Sequence, residues 1–143
     1  MELRDILSQH YQQSDQQGKN AFKVFLTAEL YLRQQKISQA GEQLSYFIDT
    51  YPDIDLIPLI TLRRALILLR LNQPELALKT AQAIEQTSLS DRSIILSGQI
   101  YEQVYNDKER ALEYFFRIIN DYPLSVFFEP IRYHIRQLKH IES

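Results

Sequence analysis

The side chains best suited to chemistry are few, and their spacing does not serve it. There are three histidines, His10, His134 and His140. Metal ligands on a helix must lie three or four residues apart to share a face. His134 and His140 are six apart, which separates them around a helix, so no metal is expected. All three read as surface or capping residues, and His140 near a helix C-terminus suits the negative end of the dipole. No cysteine occurs, which removes thiolate nucleophiles, disulfides and sulfur-ligated zinc. Gly18, Gly41 and Gly98 are scattered, so no glycine-rich phosphate loop can be assembled. Serines are plentiful, but none stands in a nucleophile elbow or an ordered Ser–His–Asp set. Glu109 and Glu113 share a helix face beside Lys108 and Arg110, which reads as a solvated surface rather than an acid–base pair. Neither catalysis nor a cofactor is expected.

Charge points the same way. The chain has 143 residues and a net charge of −2, with 16 Lys+Arg against 18 Asp+Glu. Such a balance offers no electrostatic footprint for nucleic acid. Arg63, Arg64, Arg70 and Lys79 are dispersed, and Arg132, Arg136 and Lys139 form the one basic line, read as the solvated side of a C-terminal helix. The most apolar stretch, Ile54 to Leu71, is interrupted by Asp55, Pro58, Arg63, Arg64 and Arg70. Each charge costs about 2.5–3.5 kcal/mol at a bilayer centre, so the stretch is expected to be a buried helix and not a membrane span. Residues 1–10 lack the apolar core of a signal peptide, so the chain as written reads as cytoplasmic. It would be periplasmic if it is cut from a longer exported protein.

Hydrophobic residues are 45% of the chain and charged residues 24%, the composition of one globular domain over 1–143. Apolar residues recur at steps of three and four, with no sustained alternation, so the elements are helices. Leu3, Ile6, Leu7 and Tyr11 mark a first, which stops in the polar run Gln12–Gln17 closed by Gly18. Phe22 to Leu32 outline a second, and Ser38 is placed to cap a third that ends before Tyr51-Pro52. Further helices follow: Pro58–Leu71, one opened by Pro74, one from Ser90 or Asp91, one capped by Asp107, and a last over Val126–Ile141. About eight helices with short connections favour antiparallel hairpins.

Small residues recur inside this series. Ala28, Ala65 and Gly98 are each followed three residues later by Tyr31, Leu68 and Tyr101. An alanine stands in the next helix each time, Ala40, Ala77 and Ala111, at periods of 37 and 34. Four residues on come Leu44, Ala81 and Phe115; seven on, Phe47, Ile84 and Ile118; twelve on, Pro52, Leu89 and Pro123. A small side chain on each helix lets two backbones approach, and the bulky residues that follow fill the layer to the next pair. One hairpin cannot bury its apolar face alone, so hairpins stack.

These residues resemble the tetratricopeptide repeat, over about Ala21–Pro123, most clearly in Gly98-Gln-Ile-Tyr101, Ala111-Leu-Glu-Tyr-Phe115 and Asp121-Tyr-Pro123. Departures from the family are a missing tryptophan, with Val24, Thr61 and Ile94 in its place, and Thr27, Arg64 and Ser97 where a large apolar residue is usual. An extra residue falls near Asn106–Lys108, extra residues near Asp55–Ile57, and Leu89 replaces a closing proline. Asp49-Thr-Tyr-Pro52 and Asp121-Tyr-Pro-Leu-Ser125 further resemble repeat endings of bacterial envelope proteins of this family.

The resemblance implies an all-α, right-handed stack of antiparallel hairpins. Its parts would be a flanking helix (1–17), repeats at 18–57, 58–90 and 91–125, and a capping helix (126–143). It implies a concave face of first helices built from Phe22, Phe25, Glu29 and Arg33, then Leu59, Leu62, Leu66 and Arg70, then Arg92, Ile95, Gln99 and Glu102. Phe25 and Glu29 stand where carboxylate-clamping relatives carry a lysine and an asparagine, so an extended segment or a helix laid in the groove is the expected ligand. The expected function is protein or peptide binding as a scaffold. The alternative is a homo-oligomerisation module, such as a homodimer, meeting through the same face.

Overall fold

The computed structural model describes Asp5 and residues 16–141. Among them every regular element is an α-helix and no strand occurs, so the chain is all-α. Seven helices follow in order: α1 (Gln16–Arg33), α2 (Ile37–Thr50), α3 (Ile57–Arg70), α4 (Pro74–Gln82), α5 (Ser90–Gln103), α6 (Lys108–Asp121) and α7 (Phe128–Ile141). The helix expected at Leu3, Ile6, Leu7 and Tyr11, which raised the expected number to about eight, lies outside the described residues.

Three boundaries differ from the expectation. Gln16, Gln17 and Gly18 form the first turn of α1 rather than a break. A side-chain bond from Gln16 Nε2 to Asn20 Oδ1 (3.0 Å) spans that turn, the usual neighbourhood of residues four apart on a helix. Ser38 does not cap α2; Lys36 is the N-cap and no side chain bonds there. α7 begins at Phe128 rather than Val126, because Ser125 Oγ accepts the Phe127 N–H (3.1 Å) and holds the preceding residues in a turn.

The chain divides into two compact units, Met1–Ala77 and Leu78–Ser143, with the division inside α4. In the first, α1 packs on α2 and α2 on α3. Ala28 and Ala40 are fully buried, with Phe25, Leu44, Phe47 and Ile60 around them. In the second, α5 packs on α6 and α6 on α7. Its core is Ile94, Ala111, Phe115 and Ile118, closed by Ile131, Ile135 and Leu138 from α7. Gly98 faces the Phe115 ring so closely that a Cβ there would lie 2.6 Å from a ring carbon. Ala40, Ala77 and Ala111 are all 0% exposed.

The backbone repeats with these alanines. The described non-glycine residues with positive φ are Gln35 (61°), Asn72 (59°) and Asn106 (54°), each five residues before one of the three alanines. Each reverses the chain after a helix. At Gln35, Lys36 N–H bonds to the Tyr31 carbonyl and Gln35 N–H to that of Leu32; at Asn72, Gln73 N–H bonds to Leu68 and Asn72 N–H to Leu69. That pair of bonds is the left-handed helix terminus known as the Schellman motif. At Asn106 one extra residue is accommodated, and Asp107 N–H reaches back to Tyr101 (2.8 Å). The next helix then opens identically each time, with Ala40, Ala77 and Ala111 donating to Lys36, Gln73 and Asp107.

The connections leading into α3, α5 and α7 also repeat. Ile54, Thr87 and Ser125 donate N–H to Tyr51, Ile84 and Tyr122, and Ile60, Ser93 and Ile131 donate to Leu56, Leu89 and Phe127. Leu89 therefore stands at the helix entry, in register with Leu56 and Phe127, and not in register with Pro52 and Pro123 as its distance from Ala77 suggested. Nor do extra residues sit at Asp55–Ile57, where the connection matches the others. The length difference lies in the helix: α4 has 9 residues where α2 and α6 have 14. Its shortened end is held from α5, where buried Ser93 donates its hydroxyl to the Ala81 carbonyl.

Candidate functional site

The twelve residues expected on one face occupy α1, α3 and α5, and the structure sorts them by exposure. Phe25 is a correction: at 1% exposed it is a core side chain and lines no open surface. Its place on the apolar stripe with Ala21 and Ala28, at steps of four and three, puts it under the helix rather than on it. Phe22, Leu59 and Ile95 are half-buried and pack on the core of their own unit. Leu62 is half-buried, while Leu66 is 42% exposed and Leu30, beside Glu29, is 55% exposed.

The polar members are largely engaged. Glu29 accepts a charge-assisted bond from Arg63 Nη2 at 2.9 Å, joining α1 to α3. Arg70 reaches Gln35 Oε1 (3.3 Å) at the end of α1. Glu102 pairs with His134 Nε2 of α7 at 2.7 Å, and the imidazole stands edge-on to Phe115, 5.2 Å between centroids. His134 is thus an interhelical residue rather than the surface residue expected. Arg92 lies over the Phe127 ring (5.8 Å). Arg33 and Gln99 are exposed. The first unit therefore presents Phe22, Leu59 and Leu62 half-buried and Leu66 exposed, beside the Glu29–Arg63 pair; the second presents a mostly polar row with one half-buried apolar side chain, Ile95.

A second feature was not anticipated. Within the first unit, α2, α3 and the start of α4 line an open groove of about 530 Å³. Its apolar lining is Leu68, Leu71 and Leu76; α2 lines it with Glu42, Tyr46 and Asp49, and with Ser38 and Ser45. Gly41 also lines it, and a Cβ there would meet Ile67 at 3.3 Å. Arg64 Nε donates to Ser45 Oγ (2.9 Å) across it. Tyr46 is 53% exposed. The signal in the sequence was the spacing 42, 46 and 49, which places two carboxylates and a phenol on one helix face, outside the apolar stripe.

α7 completes the picture. Its entry has the hydrogen bonds of α3's entry, so Arg136 stands where α3 has Ala65 and Lys139 where it has Leu68. In α3 those positions are buried; in α7 they are exposed. Lys139 lies over Phe116 (4.7 Å) and Arg132 approaches Glu129 at 3.7 Å in solvent. Glu109 and Glu113 are both exposed.

Among the described residues, no three of His, Asp and Glu gather as a metal set, and no helix is long and apolar enough to cross a membrane. No family model matches the chain, and comparison with curated proteins and with solved structures found no match.

Proposed function

We propose that this chain is a tetratricopeptide-type stack of helix hairpins that binds another protein, without catalysis, through the faces of α1, α3 and α5. The observation that carries the reading is the register of the backbone. Three left-handed residues, Gln35, Asn72 and Asn106, stand at one fixed distance before three fully buried alanines. Such regularity, with one short connection type into α3, α5 and α7, is what a hairpin repeat requires. In this reading 18–57, 58–90 and 91–125 are the repeats. α7 is the closing helix, with Arg136 and Lys139 solvating the side that α3 buries. The ligand would be an extended segment or a helix anchored on the first unit by apolar side chains at Leu62 and Leu66 and flanked by Arg33.

The test is affinity capture from the source cell with the wild type beside Leu62→Asp and Leu66→Asp. Leu66 is substantially exposed, so its replacement is expected to keep the helical circular dichroism while the captured protein is lost. Undiminished capture by both variants would refute the placement of the binding face. A constant dimer in sedimentation, broken by Leu66→Asp, would instead support self-association through that face.

A further inference from the structure

We propose that the groove between α2 and α4 is a docking site for the basic side of α7 from a second copy of this chain, so that copies join head to tail. Two surfaces of the chain complement each other in charge and in spacing. The acidic surface is the groove lining, where Glu42 and Asp49 are exposed and make no ion pair among the described residues. The basic surface is α7, where Arg132 and Lys139 are exposed, with Arg136 between them making no ion pair among the described residues.

Glu42 and Asp49 are seven residues apart, as are Arg132 and Lys139, so each pair spans about 10.5 Å along its helix and the two charges of one meet the two of the other at a shallow crossing. At about 530 Å³, with Tyr46, Leu68, Leu71 and Leu76 in its lining, the groove also has room for an aromatic ring. α7 offers one: Tyr133, 64% exposed, adjoins Arg132. A ring anchored in a pocket with charges at the rim is the usual economy of an interface. The Arg132–Glu129 contact, at 3.7 Å and in solvent, is weak enough to exchange for an intermolecular partner. A net charge of −2 sets little repulsion between copies. Because the two surfaces differ, the contact is heterologous, and association continues beyond a dimer unless it closes into a ring.

Sedimentation of the full chain over rising concentration, in about 0.02 M and about 0.5 M salt, tests this directly, since screening weakens such pairs. The expected result is a mass that rises with concentration in low salt and falls back in high salt. Glu42→Lys with Asp49→Lys should weaken association about tenfold or more, as should Arg132→Glu with Lys139→Glu. All four sites are on the surface, and circular dichroism checks that each variant is folded. The two charge-reversed variants, mixed in equal amounts, should associate again. A wild type that stays monomeric throughout overturns the proposal, as does association indifferent to either reversal or a mixture that stays monomeric. A monomer that takes up a basic peptide in this groove also overturns it, in favour of a foreign ligand. None of these outcomes touches the face of α1, α3 and α5, so the two readings fail separately.

Discussion

At the scale of single residues, the close approach of α5 to α6 depends on the absence of a side chain at position 98. Gly98→Ala would drive a methyl into the Phe115 ring, whose carbons already lie 2.6 and 2.9 Å from that point. Phe115 is fully buried and cannot swing clear. Overpacking of this kind costs about 1–3 kcal/mol, to be read as a lower urea midpoint. Phe115→Leu in the same chain should recover part of the loss. Ser93 acts differently. It is fully buried, and its hydroxyl meets the Ala81 carbonyl, which also accepts the Ile84 N–H. Ser93→Ala should therefore cost only about 1 kcal/mol. The small-residue pattern made Gly98 legible from the sequence. Ser93 was not legible, because its need arises from a neighbouring helix that ends a turn early.

At the scale of elements, the helix termini decide the register. Asp107 caps α6 by accepting the Arg110 N–H at 3.1 Å, and Asp107→Ala should lower stability by about 1 kcal/mol in thermal or urea unfolding. Gln35 sits at φ 61° with an ordinary side chain. The left-handed region costs such a residue about 1–2 kcal/mol, more than glycine's extra chain entropy of about 0.5–1 kcal/mol. Gln35→Gly is therefore expected to raise the unfolding midpoint, and Asn72→Gly to raise it less, since asparagine tolerates that region better. A fall in stability at Gln35 would contradict this account of the turn. The helices were readable from their apolar steps, and Asp107 and Pro58 from their chemistry. The left-handed conformation of Gln35 was not, because glutamine, unlike asparagine, has no preference for that region. Thr87 was missed for another reason. Counting forward from Ala77 assumed a full-length α4, whereas Thr87 Oγ1 accepts the Leu89 N–H just as Ser125 Oγ accepts that of Phe127.

At the scale of the whole molecule, the sequence carried the fold class and the core alanines further than it carried the surface. A core residue announces itself by periodicity and size; an exposed face is defined by what is left uncovered. Phe25 was assigned to a face by family register but belongs to the core, and Glu29, Arg70 and Glu102 are held by Arg63, Gln35 and His134. Such partners lie 32 to 35 residues away along the chain and leave no local trace. What remains accessible on the proposed face includes Leu66 and Gln99, with Leu30 beside it. The most direct measurement is amide hydrogen exchange on the chain, alone and with its captured partner bound. The account predicts slowed exchange concentrated in α1, α3 and α5, and little change along α2 and α6. Protection confined to α2 and α6, with α1, α3 and α5 unchanged, would contradict it.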